Sequence, residues 1–247
     1  TVRVSLTEDP ENELPVARRI IEEVGLLASE GFPEPARLTW DPYSFKVRES
    51  NRLGPVGGGQ VPVVIGVPAA GLMAPGTLDE CGWRKDRAGI RARVEPALGL
   101  FALTGVRQEA EQDGIPQLLP YETWAKGSVG GRSYPFFPTV SAFLSAPSAH
   151  PELNFVQVGR PELDLIRAAP RRFDRVAFIA KAVTRDLPRE LRLFSIELDE
   201  AGSKSPLLAS VPALPADPEA AALRASCQLG VLLVDGRLDG LWLEEAT

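Results

Sequence analysis

The chain has 247 residues, 44% of them apolar and 24% charged, with a formal net charge of −6 and a pI near 5.1. This describes a globular, soluble chain long enough to bury a core as one large domain or two modest ones. The acidic balance argues against nucleic acid and anionic membranes as partners, and no apolar run approaches the roughly 18 residues of a membrane helix. No secretory leader opens the chain, so a cytoplasmic location is expected.

The 23 prolines are about twice the usual share of roughly 5%, which keeps helices and central strands short and loops substantial. Thr1–Leu6 alternates β-branched or apolar residues with polar ones and reads as a strand. Thr1 stands inside that strand, so the chain is expected to be a piece of a longer polypeptide. An acidic, proline-marked loop follows. Pro15 suits a first helical turn, Val16, Ile20, Val24 and Leu27 recur at helical spacing, and Gly31 and Pro33 stop the helix. Residues 1–31 thus form one complete βα unit.

Residues 38–50, LTWDPYSFKVRES, suggest one or two strands. The loop GPVGGGQ lacks the Lys-Ser/Thr ending of a phosphate-cradling P-loop and is not followed by a capped helix, so it reads as a surface turn. Apolar runs at 61–67 and 98–104 read as buried strands, and 90–94 as a weaker one. Residues 107–139 show no sustained period, yet a structureless loop of that length is rare in a compact domain, so short elements are expected within it. Residues 140–144, 154–158, 176–183 and 207–211 read as strands, 162–169 as one or two helical turns, and 189–198 as a half-buried strand. Asp217 caps a helix with Pro218 in its first turn. Val231–Val234 then reads as a strand covered on both faces, and Leu241–Leu243 as a second. Parallel α/β pairing and an Asp-Gly hairpin both remain open there.

Little in this pattern carries chemistry. Cys81 and Cys227 stand far apart with no CxxC motif, so no metal or cluster site built by this chain alone is expected. His150 is the single histidine, in a loop-like SAHPEL context, and reads as a polar surface residue. No pair of carboxylates is arranged for acid/base work, and no catalytic residue is assigned. Arg3 and Ser5 are two apart on a strand and share a face, where they form either an outward polar edge or donors suited to phosphate.

Two stretches resemble one known family. TVRVSLTEDPENELPVARRII is similar to the last strand and helix of the catalytic barrel in 4-hydroxy-3-methylbut-2-enyl diphosphate synthases, which carry a GDTIRVSLT-type stretch there. GVLLVDGRLDGLWLE resembles the GGLLVDGLGDGVMLE-type stretch that closes the extra middle domain of the three-domain, plant-type form. Arg237-Leu238 departs from the family's Leu-Gly, which argues against a phosphate-binding role for this turn.

The resemblance implies an α/β fold, an incomplete or degenerate TIM-like barrel with short strands and long Pro/Gly-rich loops. Residues 1–31 would be the last βα unit of the catalytic barrel, and 32–247 the middle insertion domain. Arg3 and Ser5 would hold the substrate diphosphate in the full enzyme. That enzyme reductively opens 2-C-methyl-erythritol 2,4-cyclodiphosphate in non-mevalonate isoprenoid biosynthesis. It uses a 4Fe-4S cluster and electrons from ferredoxin or flavodoxin. This chain would be its non-catalytic spacer, inactive alone and without a cofactor, positioning the catalytic barrel against the iron–sulfur domain. Two alternatives stand beside this reading. One is a free-standing enzyme acting on a small phosphorylated substrate through Arg3 and Ser5. The other is an interaction module docking an electron-transfer partner.

Overall fold

The computed structural model describes residues 10–27, 40–41, 43–66, 77–85, 91–93, 99–102, 115–127, 131–181, 186–211, 215 and 217–243. In chain order these form helix α1 (Pro10–Leu27), strand β1 (Val63–Gly66), the short helix α2 (Thr77–Glu80), and strands β2 (Trp83–Lys85), β3 (Arg91–Arg93) and β4 (Leu100–Ala102). Then come β5 (Gln117–Pro120), α3 (Tyr121–Ala125), β6 (Ser133–Phe137), α4 (Val140–Ser145), β7 (Asn154–Val158) and α5 (Leu163–Ala168). The order ends with β8 (Val176–Ala180), α6 (Leu187–Glu200), β9 (Leu207–Val211), α7 (Pro218–Val234) and β10 (Gly240–Leu243).

Eight strands close into a parallel barrel in the order β1-β10-β9-β8-β7-β6-β5-β4, while β2 and β3 form a separate antiparallel pair in the β1–β4 connection. This is the expected TIM-like α/β architecture. The ring of strands is complete, and the degeneracy lies in the helical layer, where α3, α4 and α5 have only five or six residues each. The continuous apolar runs are explained by two-sided burial. In β8, Ala177 and Ile179 face the lumen, and Val176, Phe178 and Ala180 pack outward against the helices. Gly240 sits where β10 comes closest to β1: an added Cβ would lie 2.5 Å from the Val63 carbonyl oxygen.

Several sequence expectations are corrected. Residues 189–198 are not a strand but part of α6. Their alternation masks a stronger helical period in Leu187, Leu191, Phe194 and Leu198, all buried against the barrel. Asp186 caps this helix by accepting from the Arg189 N–H at 3.3 Å. Residues 140–144 are likewise helical, started by Thr139, whose hydroxyl accepts from the Ala142 N–H at 3.0 Å. Val231–Val234 is the last turn of α7, with Leu229 and Leu232 buried and Val234 73% exposed. The hairpin reading fails with it, because β10 pairs parallel with both β9 and β1. Within 38–50 no described residue belongs to a strand. Helix α1 begins at Pro10, which places Pro15 inside it rather than in its first turn. Residues 107–139 do hide short elements, namely β5, α3 and β6. Thr1–Leu6, Gly31 and Pro33 lie outside the described residues.

Candidate functional site

In a parallel barrel, chemistry belongs at the C-terminal ends of the strands, where the βα connections converge. Side-chain alternation aims Phe136 of β6, Gln157 of β7 and Ser210 of β9 into this mouth, in step with the lumen residues Tyr134, Phe155 and Leu208, and Trp242 of β10 packs against the same lumen cluster. β6 and β10 stand opposite each other in the ring, yet the Phe136 and Trp242 rings meet edge-on with centroids 4.9 Å apart. The lumen is therefore filled to its upper layer. Below these rings it holds Ile65, Leu100, Leu118, Phe155, Ile179 and Leu208, all buried. Among the described inward-facing strand residues the one titratable group is the Tyr134 phenol, whose pKa burial raises. No acid/base pair or nucleophile–base pair faces the lumen among them.

The opposite end, where the αβ connections return, carries the polar chemistry. The segment leading into β1 runs beneath the barrel, and its Leu53-Gly54-Pro55-Val56 turn inserts as a plug whose Val56 is fully buried among lumen residues. The glycine-rich loop is thus partly core rather than wholly a surface turn. Gly57 has φ +75°, and a Cβ there would stand 2.3 Å from the Asn51 carbonyl oxygen.

Beside the plug, Arg48 donates from Nε to Asp199 Oδ1 at 2.7 Å and from Nη1 and Nη2 to the Ser205 and Ser203 carbonyls, each at 2.8 Å. Arg237 donates from Nε to Ser195 Oγ at 3.1 Å and from Nη2 to the Ser195 carbonyl and to Asp199 Oδ2. The Trp40 ring lies 4.3 Å from the Arg237 guanidinium carbon. Asp239 accepts from Ser50 Oγ at 2.7 Å and the Leu207 N–H at 2.9 Å; burial raises its pKa against those two bonds and the nearby Arg48 charge. The network stitches the 48–63 segment to the starts of β9 and β10. Arg48 and Asp199 belong to no local motif, and although Arg237 and Asp239 fall in the GVLLVDGRLDGLWLE stretch, nothing local shows their bonds, since these partners lie 30 or more residues away in sequence.

The residues singled out from sequence fall in different places. Arg3 and Ser5 lie outside the described residues. His150 is not a surface residue: it is 3% exposed, its Nδ1 accepts from the Glu152 and Leu153 N–H groups, and its ring meets Tyr134 edge-on at 5.1 Å. Cys81, just past α2, and Cys227, within α7, are free, half-buried thiols whose pKa values burial raises. No group of three or more His, Cys, Asp or Glu side chains suited to a metal occurs among the described residues, so these residues do not fit an iron–sulfur cluster. No described helix is long and apolar enough to cross a membrane.

No protein-family model matches the chain. It is similar to the 4-hydroxy-3-methylbut-2-en-1-yl diphosphate synthase (flavodoxin) of Bacteroides thetaiotaomicron, at 24% identity over 98% of this chain. The protein of the same name from Phocaeicola vulgatus is 23% identical over the same share. The chain spans only 36–37% of the length of these relatives. Residue-level resemblance and whole-chain comparison thus agree on a distant relationship to these synthases, with this chain matching a little over a third of them.

Proposed function

We propose that this chain is the non-catalytic middle part of a larger synthase of the kind its relatives are named for. Its role there is to space the catalytic barrel from the iron–sulfur domain. The observation that carries this reading is the match of nearly the whole chain to just over a third of two synthases; the Phe136 and Trp242 rings, touching across the axis, leave no substrate-sized opening within the lumen itself. The chemistry then belongs to flanking parts of the polypeptide. One supplies the 4Fe-4S cluster that opens 2-C-methyl-erythritol 2,4-cyclodiphosphate in isoprenoid biosynthesis, with electrons from ferredoxin or flavodoxin. Residues 1–31 complete the catalytic barrel, and Arg3 and Ser5 hold the substrate diphosphate there. The whole enzyme works in the cytoplasm.

The exposed face of α1 supports this assignment. Leu14, Ile21, Val24 and Leu26 are 49–62% exposed, as on a helix taken from a larger core. A docking module would present an exposed apolar patch, but within 107–139 Ile115, Leu118, Leu119, Trp124 and Phe137 are buried.

The test uses the polypeptide from its native source. An antibody against this chain should detect a species much heavier than 26.7 kDa, and Gln157→Ala in that full-length protein should leave turnover of the cyclodiphosphate unchanged. A native species of the chain's own mass, or loss of turnover in the Gln157 variant with folding intact, defeats the spacer reading.

A further inference from the structure

The barrel floor holds a cavity that the stitching network does not use up. It measures about 270 Å³ and is lined by Trp40, Lys46, Arg48, Asp199, Lys204 and Arg237, among others. A second cavity of about 570 Å³ continues from it, past residues 202–204, to Arg171 and Asp174.

The charges in the first cavity do not balance. Four cationic side chains, Lys46, Arg48, Lys204 and Arg237, face two carboxylates, Glu49 and Asp199, in a chain whose net charge is −6. Arg48 spends all three guanidinium nitrogens inside the protein. Arg237 spends only Nε and Nη2, and its Nη1 carries no hydrogen bond among the described residues. Each oxygen of Asp199 already serves one guanidinium; Arg48 also has the Asp239 carboxylate nearby, whereas Arg237 bonds to no carboxylate but the shared Asp199 among the described residues. Both arginines are 5% exposed, where an uncompensated charge is poorly solvated and attracts a counter-ion strongly. Trp40 braces the Arg237 guanidinium from one side. Lys46 is exposed and makes no close ion pair among the described residues, its charge acting on Glu49 from further off, and Lys204 is engaged in a solvent-exposed pair with Glu49, which a stronger anion displaces at little cost.

We propose that this cavity binds a phosphate-type dianion, held by Arg237 Nη1 with the Lys46 and Lys204 ammonium groups closing over it. The ligand is free phosphate or the phosphoryl end of a small metabolite whose remainder lies along the adjoining cavity. The site sits at the end of the barrel opposite the blocked mouth and stands or falls independently of the spacer reading.

The experiment titrates the full chain with inorganic phosphate and, separately, with glycerol phosphate at physiological salt, following tryptophan fluorescence and the thermal midpoint. Saturable binding of either probe with a raised midpoint is expected, the ester binding more tightly if the second cavity holds its glycerol. The Lys46→Ala/Lys204→Ala double variant removes two exposed side chains, so its ligand-free midpoint should match the parent while its affinity falls about tenfold or more. Lys181→Ala, an exposed lysine at the other end of the barrel, should bind like the parent. No saturable binding of either probe, or equal binding by the double variant, overturns the proposal.

Discussion

Asp199 is the residue on which the barrel floor depends most, because one carboxylate serves two guanidiniums that are themselves 5% exposed. Removing it strands two buried cations at once, and breaking a buried pair costs about 3–5 kcal/mol. Its own side chain keeps 31% exposure, so Asp199→Ala should sit near the lower end, about 3 kcal/mol, read from urea unfolding. A loss within the range of ordinary surface substitutions would show that water replaces the carboxylate freely. His150 gives a pH dependence of definite sign. Burial holds its pKa below the ordinary 6.5, against the Glu152 charge and the Gly131 backbone, and its Nδ1 accepts two backbone N–H bonds that protonation there would break. The unfolded chain takes up the proton at the ordinary pKa while the folded chain resists it. The histidine's contribution is therefore complete above about pH 6.5 and shrinks as the pH falls from there towards the depressed folded value. Urea midpoints measured between about pH 7.5 and 5.5 should decline in the parent and decline less in His150→Gln. Identical slopes would exclude the imidazole as the cause.

Elements are held here by backbone close approach as much as by side-chain burial, and the glycine-rich loop separates the two effects. Gly57 and Gly59 share a left-handed backbone, with φ of +75° and +73°. A Cβ on Gly57 meets Asn51 O at 2.3 Å and Pro206 Cγ at 2.7 Å, whereas one on Gly59 meets nothing within 4 Å. Gly59→Ala should cost only the left-handed penalty of about 1–2 kcal/mol. Gly57→Ala should add the displacement of the plug from the barrel floor, for a total of about 3 kcal/mol or more. Equal costs for the two would mean the plug shifts freely. From sequence this loop carried a composition signal but no hint of the surface it packs on. The strand at 176–180 was legible because two-sided burial writes itself as an unbroken apolar run, and those at 154–158 and 207–211 read the same way although Asn154, Gln157 and Ser210 interrupt them. The same rule misread Val231–Val234, since the final turn of a helix against a barrel is also apolar. Length should have arbitrated, because the Asp217 cap opens a helix that reaches Val234 without a breaker other than Gly230. In α6 the alternation of Arg189–Leu198 matched a strand locally, and the buried set Leu187, Leu191, Phe194 and Leu198 shows its helical spacing only over three turns. The floor network was illegible for a different reason: Arg48 meets partners 151–157 residues away, and no local pattern encodes such a meeting.

At the scale of the whole molecule, the barrel closes without α1, since the β1–β10 pairing completes the ring and the plug precedes β1. Helix α1 lies along α7, joined by the two-pronged Arg224–Glu23 ion pair and by Arg19–Glu219 at 3.4 Å. Glu23 is mostly buried while Arg224 is one-third exposed; Arg19 is partly exposed and Glu219 largely so. Of the apolar side chains of α1, Leu14, Ile21, Val24 and Leu26 stay about half or more in solvent while Val16, Ala17 and Ile20 are partly buried, so the helix contributes only modest hydrophobic stabilisation to this barrel. Deleting residues 1–31 should therefore remove roughly the worth of the ion pairs, about 1 kcal/mol, and leave a single cooperative transition with a nearly unchanged denaturant slope. Two further readouts separate a passive appendage from a helix borrowed by another core. The deleted chain should lose affinity for hydrophobic dyes, because Ile21, Val24 and Leu26 leave with the helix. Hydrogen exchange across β8, β9 and β10 should keep its protection, since those strands are paired with their neighbours in the ring and not with α1. A loss of several kcal/mol, or a smaller denaturant slope, would instead make α1 part of this domain's own core. The boundary near residue 31, and the assignment of α1 to a neighbouring catalytic barrel, would then both fail.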